Sequence, residues 1–246
     1  FGLYYHTDRL YRSMRLLGIR PVTAPDEFTE IVEVVVEESE IEEGYVKIIV
    51  TRGSDDHNFT IPARSALQPN VLVYGKPIDL NAIEKVQSGV NCITLDDDRG
   101  HHCDILSLNQ LNNMMARAEA QKKNCYDAVF IKDGLLTEAS HSNVCIVKAG
   151  VIWTPATNEH MIRGVTRSLV LTRAAPSAGV TSIDEASEPV RFEDMMTAEE
   201  VFLTNSQDGI IPVLSIDGNP IGGGKVGDVT QKIQKHYAHL MEDGLP

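Results

Sequence analysis

The sequence predicts a mixed α/β (α+β) protein built from two domains. Apolar residues recur at helical spacing in several segments, and short β-branched runs lie between these segments. Asp-Gly and Ala-Gly pairs separate neighbouring runs, as expected for hairpin turns. The 246 residues, 42% of them hydrophobic, are enough for one large core or two smaller ones. We place a domain boundary near residues 78–90, which gives domains of residues 1–82 and 83–246.

The first domain is predicted to contain two helices and two strands. Residues 6–18 and 26–39 carry apolar side chains at helical spacing, and a glycine ends the first of these helices. The apolar run at 45–51 predicts a buried strand, and residues 71–74 predict a second strand.

The second domain is predicted to alternate helices and strands. Helices are predicted at 81–87, 107–123, 192–197 and 229–241, with another after Arg167. Strands are predicted at 91–95, 126–131, 143–147, 151–153, 180–183, 200–204 and 210–216. The helix at 107–123 is expected to bury one stripe of side chains, namely Leu108, Leu111, Met115 and Ala118. Glu138 is placed in a loop just past a hairpin.

Composition excludes several classes of function. The formal net charge of −13 argues against nucleic acids and anionic membranes as partners. No apolar run approaches the ~20 residues of a membrane span, and no signal peptide is visible. The four cysteines lack paired metal spacing, which favours reduced thiols in a cytoplasmic protein and no metal site. The chain begins in what reads as the middle of a domain, so we expect a missing N-terminal segment.

Three motifs carry the chemistry, and each is weak alone. Cys103–Asn109 reads CDILSLN, Thr137–Asn143 reads TEASHSN, and Gly164–Arg167 reads GVTR. In this order they resemble the fold-type IV (class IV) aminotransferases, which bind pyridoxal 5'-phosphate. The pattern is most similar to the D-amino acid aminotransferases, with the branched-chain aminotransferases next.

The resemblance implies a fold, an assembly and a cofactor site. It implies a small α/β domain followed by a larger domain with a distorted barrel-like sheet, at least a homodimer, and a site between the domains. Glu138 would face the pyridine nitrogen of the cofactor, and Ile162 would pack on its ring. Ser140 would lie near the ring or the phosphate. The implied phosphate-binding residues are Arg9 of an H-x-D-R-L stretch, Val165, Thr166 and Ser206.

Leu106 departs from the family pattern at its central position. The resembling family has a lysine here, which forms the Schiff base with the cofactor and shuttles a proton, and an isobutyl group does neither. Three explanations are open: a natural pseudoenzyme, a lysine replaced to trap a complex, and a cofactor-modified lysine recorded as leucine. A second departure concerns the substrate carboxylate, because the arginine and histidine that bind it in D-amino acid aminotransferases correspond here to His57 and Phe59.

Three functions follow from these observations. The first is an aminotransferase acting on α-amino acids (D-amino acids or branched-chain) and 2-oxo acids. The second is an enzyme of the aminodeoxychorismate lyase type, which uses the same cofactor for elimination. The third is a protein that holds pyridoxal phosphate without catalysis, which Leu106 favours.

Overall fold

The computed structural model describes residues 1–54, 67–183 and 189–244. The chain divides into two compact units, one of Gly2–Leu80 and one of Asn81–Pro246 together with Phe1. His57 and Phe59, the predicted substitutes for the substrate carboxylate site, lie outside the described residues. None of the helices among the described residues is both long and apolar enough to cross a membrane.

The smaller unit packs two helices on a hairpin. It contains helices α1 (Leu3–Leu16) and α2 (Pro25–Glu38), followed by strands β1 (Gly44–Thr51) and β2 (Asn70–Pro77). The strands pair antiparallel along their whole length. Tyr11, Phe28 and Val32 form the buried centre of this unit. The strand at 45–51 is confirmed, but its burial is not, because a sheet of two strands covered on one side leaves its side chains partly exposed.

The larger unit is organised around one curled sheet. Its strands in the described residues are β3 (Val90–Asp96), β4 (Asp127–Lys132), β5 (Leu135–Ala139), β6 (Asn143–Lys148), β7 (Val151–Trp153), β8 (Ser182–Ile183), β9 (Glu200–Asn205), β10 (Gly209–Ile216) and β11 (Asn219–Pro220). They are ordered β5-β4-β3-β10-β9-β6-β7-β8, with β11 added beside β10. The β3–β4, β3–β10 and β7–β8 pairs are parallel, and the other pairs are antiparallel.

Helices cover this sheet. They are α3 (Leu80–Gln87), α4 (Leu111–Lys122), α5 (Val165–Leu169), α6 (Ala175–Ser177), α7 (Phe192–Met196) and α8 (Asp228–Asp243), and a π-helical turn (Val170–Ala174) joins α5 to α6. The hairpin turn after β4 is confirmed, because Asp133 and Gly134 both have positive φ, at 52° and 78°. Buried apolar residues of β6, β9 and β10 fill the core beneath the helices.

Helix α4 corrects the prediction for residues 107–123 in two ways. It begins at Leu111 rather than at Ser107, because the Ser107 hydroxyl accepts the Asn109 backbone N–H and forms a turn instead. The predicted inner stripe is also wrong, since Leu108, Leu111 and Met115 are 68%, 65% and 63% exposed.

Small side chains explain the orientation of α4. Ala116 and Ala120 are its buried residues, and they pack against Ile93, Ala128 and Phe130 of β3 and β4. Alanine lets the helix backbone approach the sheet closely, which turns its large apolar side chains outward. Glu138 is likewise not in a loop: it lies within β5, a strand that the sequence reading missed.

Candidate active site

Glu138 lies in a buried polar cluster and is 5% exposed. Its Oε1 accepts a hydrogen bond from Arg99 Nη1 at 2.5 Å, and its Oε2 accepts one from the Ile162 backbone N–H at 2.9 Å. Asn143 Nδ2 donates to the same Oε2 at 3.4 Å. A carboxylate has about four acceptor positions. The cluster therefore leaves Glu138 room for one further donor.

Arg99 is shared between two carboxylates. Its Nε and Nη2 donate to the two oxygens of Asp97, each at 2.8 Å, while Nη1 serves Glu138. Its Nη2 also donates to the His160 carbonyl at 3.0 Å, and its guanidinium lies 4.2 Å from the centre of the Phe130 ring. The forked geometry of arginine permits these simultaneous bonds, so Arg99 is fixed on every side.

The two carboxylates titrate very differently. Burial acts to raise the pKa of Asp97, but its hydrogen bonds and ion pair with Arg99 outweigh burial, and the pKa falls below its ordinary value. Burial raises the pKa of Glu138 from 4.5 to about 7 in spite of Arg99. With all three groups ionised, one guanidinium faces two carboxylates. The cluster then holds a buried negative charge that one further cation would neutralise.

Asn143 joins this cluster to the start of helix α5. Its Nδ2 donates to the Ile162 carbonyl at 2.8 Å, so both backbone polar groups of Ile162 are held by site residues. Gly164 packs directly on Asn143, and a Cβ at this glycine would collide with Asn143 Oδ1. Only glycine therefore permits the close approach that places the start of α5 against Asn143.

Val165 and Thr166 form the first turn of α5 and are buried, at 6% and 2% exposed. Tyr237 of α8 donates its hydroxyl to Thr166 Oγ1 at 3.4 Å. Because Thr166 accepts in this bond, its own hydroxyl proton is left to be donated elsewhere. Backbone N–H groups in a first helical turn, together with such a hydroxyl, suit an anion.

Ser140 and Ser206 lie in two adjacent turns of the sheet. Asn143 pairs with Thr204 where β6 begins and β9 ends, so the turns that follow β5 and β9 meet at one end of the sheet. Ser140 is buried and donates its hydroxyl to Asp127, whereas Ser206 is exposed.

Leu106 lies in the irregular segment between β3 and α4 and is 42% exposed. The same segment is tied to the loop before α5, because the Cys103 backbone N–H donates to the Glu159 carbonyl at 2.9 Å. The charges of Arg99, Asp97 and Glu138 all act on the Cys103 thiol, whose pKa is raised chiefly by burial.

Arg9 lies on α1 in the smaller unit. Its Nη2 approaches His6 Nδ1 at 3.5 Å, one helical turn away. Burial and the Arg9 charge lower the His6 pKa to about 4, so this imidazole is neutral at neutral pH and accepts from Arg9. Burial also lowers the Arg9 pKa from its ordinary value.

Sequence reasoning assigned no site role to four residues that the structure places in two buried polar networks: Asp97, Arg99, Asp127 and Asn143. Residues 96–99 read as a short run of charge, which is usually solvated, although it directly follows a strand. That position at the end of β3 was the available signal, because strand ends gather polar side chains at one edge of a sheet.

Comparison with known proteins identifies the family of the chain. Residues 1–216 match the family model for amino-transferase class IV. The chain is 36% identical to a D-alanine aminotransferase of Bacillus licheniformis over 234 residues, covering 95% of this chain and 80% of that protein.

Solved structures share the fold. A branched-chain aminotransferase of Thermoproteus uzoniensis, solved with norvaline, superposes with a TM-score of 0.86 at 25% identity, covering 98% of this chain and 79% of that one. A Legionella pneumophila structure assigned as a 4-amino-4-deoxychorismate lyase superposes with a TM-score of 0.83 at 21% identity, covering 99% and 86%, which shows the fold alone. The family match and the D-alanine aminotransferase similarity both extend over most of the chain, and the chain therefore belongs to the class IV aminotransferases, enzymes of pyridoxal phosphate-dependent amino-group transfer.

Proposed function

We propose that this protein holds pyridoxal 5'-phosphate with Glu138 at the pyridine nitrogen. The observation that carries the proposal is the charge of the buried cluster, in which Arg99 is, among the described side chains, the cation paired with both Asp97 and Glu138. A protonated pyridine nitrogen is a cation with one N–H donor, and Glu138 has the charge and the acceptor position to receive it. The residues present therefore fit the cofactor of the family.

Each site residue has a defined share in binding. Glu138 keeps a proton on the ring nitrogen, while Arg99 and the Ile162 N–H fix the direction of its carboxylate. The Ile162 side chain is assigned to the ring face. The phosphate is assigned to Arg9, Val165, Thr166 and Ser206, with Ser140 beside them. When bound, the cofactor supplies the electron sink that lets an amino acid lose its Cα proton.

Leu106 limits what these residues achieve. Its isobutyl side chain has no lone pair and no acidic proton, so it neither attaches to the cofactor nor moves a proton at the substrate Cα. We infer that the chain with leucine retains cofactor and amino acid binding while turnover is very slow. The residues present bind and orient the cofactor and the amino acid. The missing group is an amine, and a lysine at position 106 would restore it.

We propose D-amino acids with short side chains, and the matching 2-oxo acids, as the substrates. The support is sequence identity. The identity to the Bacillus licheniformis D-alanine aminotransferase is higher than the identity to the branched-chain and lyase structures. Branched-chain L-amino acids are the alternative. Elimination of the lyase type is the less supported reaction, because that likeness is confined to the fold.

The test is Leu106→Lys, with Leu106→Met as the control of similar size. Both variants and the starting protein are loaded with pyridoxal phosphate and assayed with D-alanine or L-leucine, each with 2-oxoglutarate. Since proton transfer by a positioned group contributes roughly 10²-fold or more, we expect Leu106→Lys to exceed the other two by that factor, with D-alanine preferred.

Two results would count against the proposal. Leu106→Lys that binds cofactor but transfers no amino group would exclude the aminotransferase site. Preference for L-leucine would transfer the substrate assignment to the branched-chain class.

We further propose a homodimer or higher homo-oligomer in the cytoplasm. Four large apolar side chains close together in the chain are exposed, at 63% to 68%, which is typical of an interface; they are Leu108, Leu111, Met114 and Met115. The four cysteines, all within the described residues, form no disulfide bond, which suits a reducing compartment.

A further inference from the structure

A second buried polar network lies outside the Glu138 cluster, and Asp127 is at its centre. Asp127 begins β4 and is fully buried. Its Oδ1 accepts the Ser140 hydroxyl and the Ala128 backbone N–H, the latter at 2.8 Å. Its Oδ2 accepts the Ser142 hydroxyl at 3.4 Å. One carboxylate therefore holds both serines of the turn between β5 and β6.

Asn205 extends the network to the turn between β9 and β10. Its Nδ2 donates to Ser142 Oγ and to the Tyr126 phenol oxygen, both at 3.1 Å. Its Oδ1 accepts the backbone N–H groups of Gln207 and Asp208, at 2.9 Å and 2.7 Å. The backbone on both sides of Ser206 is thereby fixed to the same network as Ser140.

Two further bonds close the network. Tyr126 donates its hydroxyl to Asp208 Oδ2 at 2.5 Å, at the far side of the second turn. Asn113 of α4 donates from Nδ2 to the Ser140 carbonyl at 2.9 Å, which ties the first turn to the helix that follows Leu106. Both side-chain contacts of Asp127, to Ser140 and Ser142, thus act on the turn between β5 and β6.

Burial of this carboxylate calls for a reason. Asp127 makes no direct salt bridge among the described side chains; burial raises its pKa, and the charges of Arg117 and His141 offset burial only in part. A buried carboxylate held mainly by neutral donors is costly. A hydroxyl has one proton, so the Ser140 hydroxyl donates it to Asp127 and does not donate it to a phosphate at the same time. Ser140 then contributes through the position of its turn.

We propose that Asp127 is a positioning residue for the phosphate side of the cofactor site. Through Ser140, Ser142 and Asn205 it sets the distance between the two turns that carry Ser140 and Ser206. This inference rests on the proposed function, because that function makes these turns phosphate-binding segments. Loss of Asp127 should therefore weaken recognition of the phosphate and leave recognition of the ring unchanged.

The experiment compares two ligands that differ only in the phosphate. Pyridoxamine 5'-phosphate and pyridoxamine are titrated calorimetrically into the protein and into Asp127→Asn and Ser142→Ala. Neither ligand has an aldehyde, so surface lysines do not capture them. Asp217→Asn is the matched control, since Asp217 is an exposed carboxylate that accepts the Thr94 hydroxyl at 2.6 Å and the Thr94 N–H at 3.0 Å.

We expect the Kd for pyridoxamine 5'-phosphate to rise roughly tenfold or more in both network variants, as for loss of a hydrogen bond to a charged group. The Kd for pyridoxamine should stay within about twofold, which is the resolution of such a measurement, and Asp217→Asn should change neither. A purely structural role would weaken the binding of both ligands by the same factor, and that outcome would overturn the proposal.

An unchanged Kd for pyridoxamine 5'-phosphate in a folded variant would overturn it as well. Should Asp127→Asn not fold, Ser142→Ala decides by the same criteria, because it removes only the bridging hydroxyl. Failure of the proposed function gives a different result. The unaltered protein would then bind neither pyridoxamine 5'-phosphate nor pyridoxamine, and both the proposed function and the role of Asp127 would be rejected.

Discussion

Glu138→Gln should change how the stability of the cofactor-free protein depends on pH. Glutamine has the shape of glutamate but does not ionise. Burial raises the Glu138 pKa from 4.5 to about 7 in the folded state. Between these values the folded state binds more protons than the unfolded state, so the free energy of unfolding falls as pH rises. The contribution of a protonated Glu138 is complete below about pH 4.5 and is lost as pH rises through about 7.

The magnitude follows from the shift. One pKa unit corresponds to about 1.4 kcal/mol, so Glu138 accounts for a loss of about 3 kcal/mol across this window. The difference in unfolding free energy between the unaltered protein and Glu138→Gln should therefore fall by about that amount as pH rises. Taking the difference removes the titration of groups that the two proteins share.

Urea unfolding followed by tryptophan fluorescence provides the assay. Trp153 is the single tryptophan of the chain and packs against the core of the larger unit, which contains Glu138. The same substitution at Glu84, an exposed residue of helix α3, measures the effect of losing one acidic charge at the surface. A difference between protein and variant that stays constant over the window would refute the reasoning, because it would mean that Glu138 titrates alike in the folded and unfolded states.

Two further predictions follow. Arg9→Ala should lose pyridoxamine 5'-phosphate on dialysis faster than the unaltered protein. Arg15 is an exposed arginine of the same helix, and Arg15→Ala should not change the rate of loss. Equal retention by the two variants would exclude Arg9 from the phosphate site. Leu111→Asp should shift the protein from dimer to monomer in analytical ultracentrifugation while far-UV circular dichroism remains that of the folded chain, because Leu111 is 65% exposed and burying a charge in an interface is costly. A dimer that persists would exclude the proposed apolar surface. Leu80→Asp, at a residue 54% exposed, is the matched control.

Local sequence determined most of the secondary structure. Helix α2 lies where apolar periodicity predicts it, since the helical period reports directly on one buried face, and strand β1 lies where a short apolar, β-branched run predicts a strand. The turn at Asp133–Gly134 was also determined locally, because few residues adopt two successive positive φ angles. The order of three short motifs identified the family, although each motif alone is common.

Only the tertiary structure decided which side chains meet. Arg99 and Glu138 are separated by 39 residues, and Asn205 and Ser142 by 63, so no local pattern announces either contact. Helix α4 shows the same limit, because periodicity predicted an apolar stripe but close packing on the sheet selected Ala116 and Ala120 for burial. The leucine at position 106 was evident from the sequence alone. The negative charge of the Glu138 cluster could not be inferred from the sequence. It depends on burial and on a shared guanidinium, and both exist only once β3, β5 and the loop before α5 have come together.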